Sequence, residues 1–217
     1  MNESQSTSSR ELLPEPTLRR LPWYLAYVTL LRKNNVEYVS STKIADELNV
    51  DSSQIAKDLS FLNIKGKTRI GYEVASLETA LQEFLGFGQS HNAVMVGSGS
   101  LGAALISDSG LQRYGLNIVA GVDIDEKIVG TEIGGIPIYH LDKLKELVKK
   151  MNVRIGIVAV PVESAQDVAD TMVAAGIKGI WNFTPYRIRV RDGVVITNTS
   201  IYSHLAVMYN RLGMLNL

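Results

Sequence analysis

Apolar positions along the chain fall into two regimes. From Thr17, Leu18, Leu21, Tyr24, Leu25, Val28 and Leu31 recur at steps of three and four, which predicts an amphipathic helix with Pro22 in its first turn, where a missing N–H costs little. A short helix with Ile44, Ala45 and Leu48 on its apolar face follows, with Ser41 as the expected cap. Asn49 and Val50 end it, and Asp51 opens a second helix that places Ile55, Leu59 and Leu62 on one face and Ser53, Gln54, Lys57 and Ser60 on the other. Beyond it Ile64, Ile70, Tyr72 and Val74 alternate with Lys65, Lys67 and Arg69 around Gly66 and Gly71, as in a two-stranded basic wing. A helix over Leu77 to Leu85 and the glycines Gly86 and Gly88 mark a domain boundary.

After that boundary the apolar residues come in short runs, at Ala93 to Val96, Leu116 to Val122, Ile155 to Val160 and Gly179 to Phe183. Helical patterns separate them, notably Leu141 to Met151 and Ser164 to Ala175. A short extended piece at Ile136 to Tyr139, an extended pair across Asp192-Gly193 and a last helix from about Ser200 complete the reading. Strand and helix alternation of this kind predicts a mostly parallel α/β sheet with helices on both faces. The expected organisation is a disordered arm over 1–16, a winged helix-turn-helix domain over 17–86, a Rossmann domain over 87–198 and a C-terminal helix over 199–217.

Composition narrows the class without changing the fold. The 217 residues are 46% hydrophobic and 20% charged and include no cysteine, which excludes a disulfide framework and thiolate metal sites. No apolar run reaches the roughly 18 residues of a membrane span, and the polar start has no signal-like core, so a cytoplasmic protein is expected. Formal net charge is zero, but its distribution is uneven: Thr17 to Glu73 carries nine bases against six acids. That excess is confined to the N-terminal domain, where the wing cations Lys65, Lys67 and Arg69 are placed to meet DNA phosphates.

The candidate chemistry lies at Gly97-Ser98-Gly99-Ser100-Leu101-Gly102, between a predicted strand and a predicted helix. In that context Gly97 permits a tight turn, Gly99 lets backbone approach a pyrophosphate and Gly102 lets helix pack on strand. The second strand ends in Asp123, placed to accept hydrogen bonds from an adenosine ribose and so to favour NAD over NADP. Val160, Pro161, Thr184 and Pro185 lie in loops after later strands, where an apolar pocket for a nicotinamide ring would close. His91, His140 and His204 are all read as lying away from the carboxyl ends of strands, with no paired carboxylates, triad or metal spacing nearby, so no reaction is expected.

With these residues in order, the chain resembles the Rex redox-sensing transcriptional repressors of bacteria over nearly all of Arg19 to Leu212. The resemblance rests on RLP at Arg20 to Pro22, VSS at Val39 to Ser41, KDLSF at Lys57 to Phe61, GY at Gly71 and Tyr72, and GSGSLG at Gly97 to Gly102. GGIPIYHLDKL from Gly134, AVP at Ala159 to Pro161 and AAGIKGIWNFTP from Ala174 extend it. It implies a homodimer with a swapped C-terminal helix that leaves operator DNA when NADH replaces NAD. It also implies DNA contacts from Ser41, from Ser52, Ser53, Gln54, Lys57 and Ser60 on the recognition helix, and from Lys65, Lys67 and Arg69 in the wing.

The chain departs from the family pattern in two places. Ala56 stands where the recognition helix usually carries an arginine. Ala26, Asp108 and Ser200 stand where members can carry an arginine, a tyrosine and an aspartate that exchange partners as the dimer closes. An NAD-binding DNA-binding protein with a weakened or rewired redox response is therefore a second expectation. A nucleotide- or CoA-binding enzyme subunit is a third.

Overall fold

The computed structural model describes residues 13–214, so the expected arm over 1–12 lies outside the described residues. The chain divides into two compact units between Gly88 and Gln89, two residues beyond the expected boundary.

The first unit is built on α1 (Glu15–Lys33), whose Leu21, Tyr24, Leu25, Val28 and Leu31 are buried. Two sequence expectations are corrected here. Glu15 and Pro16 belong to the helix rather than to an arm, and Pro22 lies inside the helix rather than in its first turn. The early turns persist because Thr17 is buried and hydrogen-bonded to Asp58, so tertiary contacts outweigh the backbone bond that Pro22 cannot make. β1 (Tyr38–Val39), α2 (Ser41–Leu48), α3 (Ser52–Leu59), β2 (Tyr72–Glu73) and α4 (Val74–Leu85) complete the unit. The cap of α2 is Ser40, which accepts from the Lys43 N–H at 3.1 Å; Ser41 is the first helical residue. Asn49 ends α2 in the left-handed region, and Asp51 caps α3 by accepting from Ser53 N–H at 2.7 Å. Ile44, Ala45, Ile55 and Leu59 thus meet α1 and α4 in one core. Glu78 of α4 adds a polar tie to α1, accepting from Thr29 at 2.7 Å and Arg32 at 2.5 Å.

The second unit holds a seven-stranded sheet in the order β5-β6-β4-β3-β7-β8-β9, with β3 His91–Val96, β4 Leu116–Asp123, β5 Glu132–Ile133, β6 Ile136–His140, β7 Ile155–Val158, β8 Gly179–Asn182 and β9 Val195–Asn198. All adjacent pairs are parallel except β5 with β6. Continuous apolar runs become buried strands because both faces are covered. Val94, Val96, Ala120, Val122 and Val158 face α7 (Leu144–Lys150) and α8 (Ala165–Ala175), while Met95, Ile138 and Ile157 face α5 (Ser100–Ile106). Of the extended pair expected across Asp192-Gly193 only β9 forms, parallel to β8. The other half is held apart: Gln166 takes the Arg189 N–H and C=O at 3.0 and 2.9 Å, and Ile188 is buried. α6 (Ser109–Arg113) and α9 (Ile201–Met214) remain, and no residue of α9 is buried.

Candidate nucleotide and nucleic-acid sites

The glycine turn is held shut by contacts only glycine allows. Gly97 adopts φ +89°, and a Cβ there would lie 2.5 Å from the Ala159 carbonyl oxygen. A Cβ on Gly102 would lie 2.0 Å from the Gly97 carbonyl oxygen, so α5 and the end of β3 pack backbone against backbone. Over Gly99 a Cβ would meet nothing within 4 Å, which is the open space a pyrophosphate needs. Asp123, at the end of β4, accepts from Ser98 N–H at 2.6 Å through one oxygen and from Ile124 and Asp125 N–H at 2.7 and 3.0 Å through the other. The carboxylate therefore ties the glycine turn to the end of β4 and the residues that follow it.

A cavity of about 380 Å³ opens there, lined by Gly97, Gly99 and Asp123 together with Val160 and Pro161, which the sequence reading had set at a nicotinamide ring with Thr184 and Pro185 and which here stand beside the acid instead. Ile124 and Leu141, and Ser164, Asp167 and Thr171 at the start and along α8, line it as well. The sequence reading passed over these, although Ile124 adjoins the acid and Asp167 and Thr171 lie one turn apart on α8, with Ser164 just before it. Residues that fit the adenosine end of a dinucleotide are thus present: an acid beside the glycine turn and an apolar cleft beyond it.

Several expected nucleotide residues lie outside the cavity. The Ser98 side chain is buried without a hydrogen-bond partner and turns toward Gly121, whose added Cβ would approach its oxygen to 2.7 Å. Ser100 and Leu101 are exposed in the first turn of α5, and Gly102 is buried beneath it. Thr184 is buried in a turn with its N–H on Asn182 Oδ1 at 2.9 Å, and Pro185 follows on the surface. His140 is also corrected: it is the last residue of β6, in register with Asp123, and so does lie at the carboxyl end of a strand. Its Nδ1 is 3.1 Å from Asp142.

In the first unit the outer face of α3 presents Ser52, Ala56 and Lys57, all exposed. Ser53 donates its hydroxyl to Asp51, and Ser60 to the Lys57 carbonyl at 2.7 Å, so their protons serve the helix ends. Gln54 is turned away from the reading face and donates to Asp58 at 2.8 Å. Asp58, fully buried, is the residue that sequence reasoning missed. It accepts from Thr17 at 3.0 Å, from Arg20 at 2.7 and 2.9 Å and from Tyr24 at 2.7 Å. Burial opposes its ionisation, yet the hydrogen bonds from Arg20, Tyr24, Gln54 and Thr17 prevail and hold its pKa at about 2. Arg20 is raised by its bond to Asp58, and Tyr24 by burial and then by the same carboxylate.

The wing is smaller than expected. Instead of two strands over Ile64 to Val74, a turn closes with a bridge between Lys67 and Gly71, and β2 pairs with β1. Gly71 is required at φ +105° because a Cβ would lie 2.3 Å from the Val39 carbonyl oxygen. Lys67 donates to the Tyr38 hydroxyl at 2.6 Å and lies over its ring, so it is engaged within the domain. The side chains of Lys65, Arg69 and Lys57 are exposed, with no side-chain hydrogen bond or ion pair among the described residues. Ser41 is half-buried at the start of α2.

The three departing positions carry local roles. Ala26 is exposed on α1 between Trp23 and Leu30, both more than half exposed, in an apolar stripe. Asp108 caps α6, accepting from Gly110 N–H at 3.0 Å, and borders a second cavity of about 640 Å³. That cavity is the larger, but it lacks the glycine turn and its acid. Ser200 accepts from Ser203 N–H at 3.2 Å at the start of α9. Aspartate and serine are both capping residues, so serine keeps a cap and loses a charge.

Comparison with known proteins adds three findings. A family model described as CoA binding domain matches residues 88–186, and one described as putative DNA-binding protein N-terminus matches 13–60. A redox-sensing transcriptional repressor Rex of Bacteroides fragilis is 54% identical over 212 residues, covering 98% of this chain and 96% of that one. The crystal structure of RSP in complex with beta-NAD+ and operator DNA aligns with a TM-score of 0.90 at 31% identity over 94% of both chains. The structure of RSP with beta-NADH aligns at 0.85 and 30% identity, covering 94% of this chain and 96% of that one.

Proposed function

The chain belongs to the Rex family of redox-sensing transcriptional repressors, and from that premise we propose that it is a homodimeric repressor that binds NAD and NADH and releases operator DNA when NADH is bound. The observation that carries this reading is Asp123, which ties the phosphate turn to the ribose position in the same chain as a helix pair and wing that expose Lys57, Lys65 and Arg69. Gly97, Gly99 and the α5 N–H groups hold the pyrophosphate, Asp123 the adenosine ribose, and Val160 and Pro161 the apolar wall. Acid at that position repels a phosphorylated ribose, which disfavours both NADP and coenzyme A. The protein acts by differential binding rather than by catalysis: each nucleotide shifts DNA affinity only as far as it prefers one state.

On the DNA side, Lys57, Ser52 and Ala56 present the reading face and Lys65 and Arg69 supply phosphate contacts. Ser41 lies nearby at the head of α2. The dimer exchanges α9, whose Ile201, Tyr202, Val207, Met208, Tyr209, Leu212 and Met214 are all exposed. A helix so apolar is stable only against another surface. No helix among the described residues is long and apolar enough to cross a membrane, and a repressor of this class works beside the chromosome in the cytoplasm.

The test is a duplex selected from random sequence by the protein itself, titrated at fixed salt with NADH and with NAD. Release by NADH at concentrations where NAD leaves the complex intact is the expected result; unchanged DNA affinity at saturating NADH overturns it. A second reading rests on Ala26, Asp108 and Ser200. With no charge at the first and last, the redox response is weakened or rewired, and equal DNA affinity with both nucleotides would select that reading.

A further inference from the structure

The cavity beside Asp123 is lined by the apolar residues Ile124, Leu141, Val160, Pro161 and Val168 and by the polar residues Ser164, Asp167 and Thr171, the last two exposed on α8 and Ser164 in the turn before it. With a ribose at Asp123, the adjoining base would lie among the apolar residues of the same cavity, within which Asp167 and Thr171 supply the polar edge.

The hydrogen-bonding capacity of that edge is one-sided. Asp167 is an acceptor, and its carboxylate has no hydrogen bond or ion pair among the described residues. Thr171 has already given its proton to the Asp167 carbonyl at 2.8 Å, so its hydroxyl can only accept. The two lie one helical turn apart on the same face. Two neighbouring acceptors favour a ring edge that brings two donor hydrogens, and an exocyclic amino group brings both on one nitrogen.

We propose that Asp167, with Thr171, selects adenine by accepting hydrogen bonds from its exocyclic amino group. This rests on the nucleotide reading above. A 6-oxo base, which puts an acceptor in that place, faces a carboxylate and is disfavoured. The competing structural role of Asp167 is to complement the helix dipole in the first turn of α8. That role would affect stability without distinguishing one base from another.

Calorimetric titration of the full chain with NADH and with reduced nicotinamide hypoxanthine dinucleotide, its deaminated analogue, separates the two. The wild-type protein is expected to prefer NADH by roughly tenfold, the value of one hydrogen bond to a charged acceptor. Asp167→Asn, whose amide can both donate and accept, narrows that ratio toward one, and Thr171→Val narrows it in part. Asp170→Asn is the control: Asp170 is on the same helix, bonded to Gln166 at 3.0 Å, and its loss leaves the ratio unchanged. Equal affinities for the two nucleotides in the wild type, or an unchanged ratio in Asp167→Asn, overturn the proposal while leaving nucleotide binding intact. Failure of NADH itself to bind overturns the underlying reading and this inference with it.

Discussion

Asp58 concentrates more polar contacts than any other side chain described above, and its loss is informative. Replacing it with asparagine leaves Arg20 half-satisfied beside a buried site, so Asp58→Asn is expected to destabilise the first unit by about 3 kcal/mol. Chemical denaturation with two-domain analysis measures this. The sign of the pH dependence follows from the depressed pKa: the folded value is about 2 and the unfolded value near 3.9, so the stability is present above about pH 4 and lost as pH falls through 2. A steeper loss of stability between pH 4 and 2 in the wild type than in Asp58→Asn is the expected outcome. At the other site, Gly97→Ala forces a methyl group against the Ala159 carbonyl at positive φ. NADH binding should fall at least tenfold or the second unit should lose about 2 kcal/mol, as read by calorimetry and thermal melting. None of Asp58's role was legible in the sequence, because its partners on α1 lie 34 to 41 positions away. Gln54 was misread for the same reason: helical spacing gives its face, but the buried carboxylate decides where its amide points.

Among elements, those whose signal is local were legible. The strands β3, β4 and β7 announce themselves by short apolar runs, and the glycine turn follows the first of them. The wing was not legible in detail, since β2 exists only by pairing with Tyr38 and Val39, on the far side of the helix pair. The same is true of β9, whose parallel pairing with β8 cannot be told from a hairpin by alternation alone. For α3 and the wing together, the expected effect of charge is additive. Lys57→Ala, Lys65→Ala and Arg69→Ala should each weaken DNA binding across sequences and reduce the slope of log affinity against log salt by about 0.9. Lys67→Ala should change that slope less, because Lys67 is committed to Tyr38. Fluorescence anisotropy on one duplex at several salt concentrations distinguishes the two classes, and equal effects of Lys57 and Lys67 would contradict the assignment. Ala56 leaves a small apolar spot in the middle of the reading face, suited to a thymine methyl group. Ala56→Arg is expected to shift the selected sequence toward guanine at one position of each half-site.

For the molecule as a whole, the proposed exchange of α9 makes assembly and DNA binding inseparable. Deleting residues 199–217 should convert a dimer to a monomer in sedimentation and lower operator affinity at least about a hundredfold, since two linked reading helices gain that much from effective concentration. A truncated protein that still sediments as a dimer would place the subunit contact elsewhere. The unit boundary was legible to within two residues because Gly86 and Gly88 punctuate it, whereas the pattern gave α9 only as a last helix and its exchange was expected from the family resemblance alone. The cluster around Asp58 has a mechanical meaning at this scale. Thr17, Arg20 and Tyr24 span two turns of α1 and converge on one carboxylate of α3, so the two helices are tied at three points to a single side chain. A displacement of that stretch of α1 is therefore expected to carry α3 with it, which would make the start of α1 the handle by which the reading face is aimed.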